Sequence, residues 1–166
     1  AQSTTERIQG ADRFEVAVNI SNKGWPQGAR TVLLVNYNAY ADALAATPLA
    51  YQKDGPILLT HPGKLTDATK KELVRLQPGQ IIIVGGEGSV SSTVVNELNS
   101  LGMSNVRRIN GSDRYDVSYE IAKELPASSK FVVAYGYNFP DALAIAPFAA
   151  RNGFPILLTD KNDLPQ

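Results

Sequence analysis

Much of this chain occurs twice, and that repetition limits its folds more than any other feature. RIQGADRF, Arg7 to Phe14, comes back as RINGSDRY, Arg108 to Tyr115. DALA at Asp42–Ala45 returns at Asp141–Ala144, and PILLT at Pro56–Thr60 returns at Pro155–Thr159. The offset is 101 for the first motif and 99 for the other two, so one intervening loop is two residues shorter in the second copy. Tandem self-similarity means one supersecondary unit whose neighbours bury each other's apolar faces. The alignment divides the 166 residues into a first repeat over 1–106 and a partial second repeat over 107–166. The second copy has no counterpart here of Thr66–Ile109.

Within the first copy, helical and strand patterns alternate. Phe14, Ala17, Val18 and Ser21 share a helical face. TVLLV at Thr31–Val35 is a short apolar strand, and Tyr40–Gln52 an alanine-rich helix that contains Pro48. PILLT is a second strand with proline tolerated at its start, and Ile81–Gly86 (IIIVGG) is a third. Thr66–Leu76 and Ser91–Leu101 read as amphipathic helices, and Val106–Ile109 as a short strand. Strands that are apolar throughout need cover on both faces, and helices between them imply right-handed parallel crossovers. The expected fold class is α/β, a small three-layer module with a mainly parallel sheet, repeated in tandem. Pro48 and Pro147 are expected to kink or interrupt their helices, because each removes a backbone donor.

Composition removes several functions. Sixteen basic and sixteen acidic residues balance, so no whole-molecule field draws nucleic acid or an acidic membrane, and anion binding has to be local. No apolar run approaches the roughly 18 residues of a membrane span. With no cysteine, disulfides, thiolate metal sites and cysteine nucleophiles are absent. His61 is the single histidine and reads as an exposed loop residue. No metal site, cofactor or catalytic residue is expected. The start, AQSTTE, reads as a mature end behind a removed leader.

Three local features carry chemistry. GGEGSVS, Gly85–Ser91, lies between a strand and a helix, where phosphate-cradling loops sit, but it matches neither a dinucleotide fingerprint nor a P-loop. It reads as a tight turn with Ser91 as the helix cap. Asp42 and Asp141 sit where alanine-rich helices begin; each is a favourable first-turn acid or a partner for Arg13 or Arg114. In the repeated corner, Asp12 and Asp113 suit a helix cap. The arginine after each opposes the helix dipole by about 0.3–1 kcal/mol and needs compensation. Two readings stand for Arg13 and Arg114, with Arg7 and Arg108 six residues earlier: an Arg–Asp clamp of helix to sheet, or a bidentate contact to an anionic ligand.

R-I-x-G-x-D-R-[FY], then D-A-L-A, P-I-L-L and I-I-I-V-G-G-x-x-x-V-S, resembles the type 2 cell-wall-binding repeat family of Gram-positive bacteria, from Arg7 through Leu158. The resemblance implies tandem α/β modules, usually three around a pseudo-threefold arrangement. Such modules hold secreted surface proteins or wall hydrolases noncovalently on the envelope. It implies an anionic wall polymer as ligand, a secondary polysaccharide or a teichoic-acid-like chain, with any catalytic part elsewhere in the protein. Arg13, Arg114, Arg7, Arg108, Gly86, Ser89, Asp42 and Asp141 are the expected ligand-binding residues. Pro56, Ile57, Leu58, Leu59, Pro155, Ile156, Leu157 and Leu158 are the expected module-packing residues. The expected partners are the polymer and further repeats or a homo-oligomer with trimer-like packing, without nucleic acid or membrane insertion. The expected location is the cell wall or cell surface. The rival readings are a structural or adhesion repeat and a phosphosugar-directed hydrolase built on GGEGSVS and the aspartates.

Overall fold

The computed structural model describes residues 7–136, 146–147 and 149–160. The elements run α1 (Arg13–Gly24), β1 (Thr31–Asn36), α2 (Tyr40–Gln52), β2 (Ile57–Thr60), α3 (Asp67–Leu76) and β3 (Gln80–Val84). They continue with α4 (Ser92–Ser100), β4 (Val106–Ile109), α5 (Arg114–Glu124), β5 (Val132–Tyr135) and β6 (Ile156–Thr159). The fold is α/β, with parallel sheets flanked by helices. Strands β2-β1-β3-β4 form one four-stranded sheet and β5-β6 a second, and every pairing is parallel.

The apolar strands acquire the two covers their composition demands. Val32 and Leu34 of β1, with Ile81 and Ile83 of β3, pack against Leu73 and Leu76 of α3 and Val94 and Leu98 of α4. Their neighbours Leu33, Val35, Ile82 and Val84 point the other way, into a cluster with Ala45, Ala46 and Leu49 of α2. That second cluster also contains Val117, Ile121 and Leu125, so the first helix of the second copy helps cover the sheet of the first. Helix α1 lies instead against β2 and α3, where the buried Glu72 accepts Ser21 Oγ at 2.9 Å and ion-pairs with Arg75.

Two expectations change here. Helix α2 runs from Tyr40 to Gln52 without interruption at the buried Pro48. The Thr47 hydroxyl supplies an extra donor on that turn, 3.1 Å from the Ala43 carbonyl. His61 is half-buried rather than exposed, its ring centroid 4.7 Å from Phe14 and 4.8 Å from Tyr37. The flat imidazole packs edge and face between two rings that a loop reading does not anticipate.

Candidate functional site

The repeated corner is a helix start built identically twice. Asp12 Oδ1 accepts from the Glu15 N–H at 2.9 Å, and Asp113 Oδ1 from the Asp116 N–H at 2.8 Å. The acid three residues on reaches back: Glu15 takes the Ala11 N–H at 2.8 Å and Asp116 takes the Ser112 N–H at 2.9 Å. The first bond of each pair satisfies a donor the helix leaves open, and the second ties down the residue before the cap, a variant of the capping box. The glycine of each corner has to be glycine. A Cβ at Gly10 or Gly111 would stand 2.6 Å from the backbone nitrogen of Val16 or Val117.

The arginine at each helix start finds its compensation in a backbone carbonyl. Arg13 donates to the Tyr37 carbonyl at 3.1 Å and to Asn38 Oδ1 at 3.1 Å. Arg114 donates to the Gly136 carbonyl at 2.8 Å, the corresponding point of the second copy. Each arginine therefore ties a helix start to the loop leaving a central strand. These carbonyl ties stand beside the Arg–Asp pairing read from the sequence, whose second-copy member Asp141 lies outside the described residues. Arg108 makes a third such tie, from β4 to the Gly85 carbonyl at 2.9 Å.

A cleft of about 490 Å³ opens between the two copies, above the carboxyl ends of β1, β3 and β4. Sheet order 2-1-3-4 reverses direction between β1 and β3, and open α/β sheets bind ligands in the crevice at that switch point. Its walls include Asn36 and Tyr40 from one side, Gly86, Gly88 and Ser89 from the loop after β3, and Ser112, Asp113 and Arg114 from the second copy. Gly85 has φ +115°, a conformation that side chains resist, and it carries the chain past Asp42 Oδ2. A Cβ at Gly86 would stand 2.8 Å from Asn110 Oδ1 and 3.4 Å from the Gly111 carbonyl, so a side chain there would have to push Asn110 aside.

Asp42 faces this cleft while only 8 % exposed. Burial lifts its pKa to about 6; Arg114 pulls it down and Asp113 pushes it up. No described residue donates a hydrogen bond to its carboxylate.

The loop itself is closed to phosphate. Ser89 and Val90 donate their N–H groups to the Gly86 carbonyl, and Ser91 donates to Pro62. Glu87 accepts the Ser92 N–H at 2.6 Å, so a carboxylate already occupies the start of α4. Ser91 holds the N-cap position as expected, but its side chain makes no capping bond because Glu87 has taken that role.

The expected ligand residues thus separate. Asp42, Gly86, Ser89 and Arg114 meet in the cleft. Arg13 flanks it, its guanidinium 5.5 Å from the centroid of the Tyr40 ring, and Arg108 sits behind the loop at Gly85. Arg7 lies apart, beside Asn19, Asn22 and Lys23 of α1. Asp141 falls outside the described residues. Of the packing segments, Leu58 is fully buried and Pro56 is buried, while Ile57 and Leu59 are half-covered. Ile156 and Leu158 are buried against Ala41 and Leu44 of the first copy, with Pro155 and Leu157 half-covered. Tyr40, Asn36 and Ser112 were not anticipated. Tyr40 and Asn36 flank the DALA motif and Ser112 sits inside the repeated corner, so their positions were visible though their convergence was not.

Comparison with known proteins converges on one family. The profile of Cell wall binding domain 2 (CWB2) matches residues 7–95 and 108–166. An N-acetylmuramoyl-L-alanine amidase, LytC, of Bacillus subtilis is 43% identical over 99% of this chain and 33% of its own length. The amidase enhancer of the same organism is 44% identical over 98% of this chain and 23% of its own length. Among solved structures, Cwp6 from Clostridium difficile superposes with a TM-score of 0.88 at 42% identity, over 96% of this chain and 26% of that one. The chain spans a third or less of each of these proteins.

Proposed function

The chain belongs to the cell wall binding domain 2 family, and on that premise we propose that it is a noncovalent anchoring module that binds an anionic wall glycopolymer. Its role is to hold a secreted protein at the bacterial envelope. Catalysis, where the full protein has any, lies outside these residues. The observation that carries the reading is the cleft at the switch point, whose two walls come from successive repeats and converge on one arginine. An anchor needs a shape-specific groove as well as charge contacts, and the neutral net charge means that any such contacts are local.

Sedimentation with purified walls tests this directly. The chain pellets with intact walls, loses most of that retention once the polymer is extracted, and is released by added salt in proportion to the charge contacts it makes. Equal retention on extracted walls would overturn the reading.

A second reading, assembly with further repeats, has its own observation. Ile8 and Ile20 are 36% and 46% exposed, whereas their counterparts Ile109 and Ile121 are 4% and 1% exposed under the α2 side of the first sheet. We infer that the α2 helix of another repeat covers Ile8 and Ile20, supplied by the same protein or by a second copy. Both readings hold together in one anchor.

A further inference from the structure

We propose that the cleft between the repeats seats an uncharged, hydroxyl-bearing sugar ring of the polymer, with Asp42 as its hydrogen-bond acceptor and the Tyr40 ring as its platform. The inference rests on the anchoring reading and narrows it, because it assigns the polymer's anionic groups to contacts outside the cleft.

Asp42 is more than nine-tenths buried, lines the cleft and receives no hydrogen bond from any described residue. Its raised pKa, about 6, is the consequence of holding a carboxyl in that position without donors. At neutral pH the folded chain therefore keeps a buried, unsatisfied carboxylate facing an open groove. Groups this buried are usually paired within the protein; the Asp42 oxygens instead open onto the groove, where a donor that enters it can reach them.

The nature of the partner follows from the neighbours. Gly86 and Gly88 also line the cleft, and no described residue accepts from their N–H groups. A hydroxyl donates to a carboxylate and accepts from an amide at once. A phosphodiester or carboxylate oxygen only accepts, so although Arg114 attracts it, it leaves Asp42 unanswered and meets the charges of Asp42 and Asp113. An ammonium only donates, leaves the amides unmatched and meets the field of Arg114. Only the hydroxyl answers both sets of groups. Tyr40 adds the second half of a sugar site: an aromatic ring that is 48% exposed and lines the same cleft. Arg13, 5.5 Å from its centroid, holds the ring from outside. An apolar ring face set beside a hydrogen-bonding edge matches a pyranose, which has both.

The test is an NMR titration of the whole chain near pH 7.5 with glucose, N-acetylglucosamine, glucosamine, dimethyl phosphate and inorganic phosphate as separate probes, beside wall sedimentation. Expected are shifts of the Gly86, Gly88 and Gly111 amides with the neutral sugars and none with the two phosphates. Asp42→Asn weakens sugar binding about tenfold or more, as loss of a charge-assisted bond requires. Tyr40→Ala weakens it as well, and Tyr40→Phe restores it. Asp42→Asn relieves a buried charge, so the variant folds at least as well as the parent and its loss of affinity is not loss of structure. Saturation of the cleft amides by either phosphate, selective binding of glucosamine over glucose, or sugar binding unchanged in Asp42→Asn would each overturn the proposal. Wall retention unaffected in that event leaves the anchoring reading standing, whereas wild-type protein that never pellets with walls removes the anchoring reading itself.

Discussion

Ile20 and Ile121 occupy the same position of the same motif, yet one is 46% exposed and the other 1%. The same division runs through Ile8 and Ile109, and through the half-covered Ile57 and Leu59 against the buried Ile156 and Leu158. In every pair the second-copy residue is covered on the side that α2 of the first copy presents. The opposite sheet face shows the converse. Val32 and Leu34 are fully buried beneath α3 and α4, but Phe131 and Val133 are 56% and 45% exposed, since the second copy has no counterpart of those helices in this sequence. The difference teaches that a repeat of this kind is completed by its neighbour. Its residues specify a surface to be covered, and position along the chain decides whether the cover is present.

Truncation separates the two copies most sharply. Ile121→Ala is expected to cost about 2–4 kcal/mol in urea denaturation, the usual loss for a fully buried isoleucine. Ile20→Ala changes stability by about 0.5 kcal/mol or less. Equal costs would break the comparison. The Asp42 carboxyl gives the next effect. Its folded pKa is raised from 3.8 to about 6, so the stability it contributes is fully present below 3.8 and is lost as pH rises through 6. Asp42→Asn should therefore be more stable than the parent by about 3 kcal/mol near pH 8 and nearly equal to it near pH 3.5. A stability difference independent of pH would contradict the origin assigned to the shift.

The clamps provide a finer contrast. Arg114 is half-buried and Arg13 exposed, although both tie a helix start to a strand-end carbonyl. Arg114→Ala is expected to cost about 1–2 kcal/mol and Arg13→Ala about 0.5–1 kcal/mol, with lysine restoring little at either site. A reversed order would show that burial does not set the strength of this contact.

Much of the architecture was legible because the first copy states it redundantly. VLLV and IIIV are apolar at every position, as strands covered on both faces of a parallel sheet are. Thr66 caps α3 through its hydroxyl, and Asp12 and Asp113 cap α1 and α5, at the positions the sequence marks. What was not legible depends on a neighbour or on backbone. Nothing in the letters of Ile20 and Ile121 separates them. The carbonyls of Tyr37 and Gly136 have no sequence signature, so the arginines looked as though they needed an acid. Glu87, from the preceding turn, reaches the Ser92 N–H at the start of α4, while Ser91 makes no side-chain capping bond. The cleft combined residues legible one by one, such as Asp42 and Gly86, with Tyr40 and Asn36, whose relevance arises only where β1 and β3 part company.

The most direct test of the central claim, that the cleft between the copies is where the wall polymer is held, is to fill that cleft. Gly88 lines the groove and a Cβ there meets no atom within 4 Å, so Gly88→Phe adds bulk at the groove wall without a Cβ clash. Gly24, at the far end of α1 from the repeated corner, is equally open and carries the same change as a control. Sedimentation with intact walls should show retention lost in Gly88→Phe and kept in Gly24→Phe, with both variants melting like the parent. Gly88→Phe that pellets with walls as well as the parent would contradict the account.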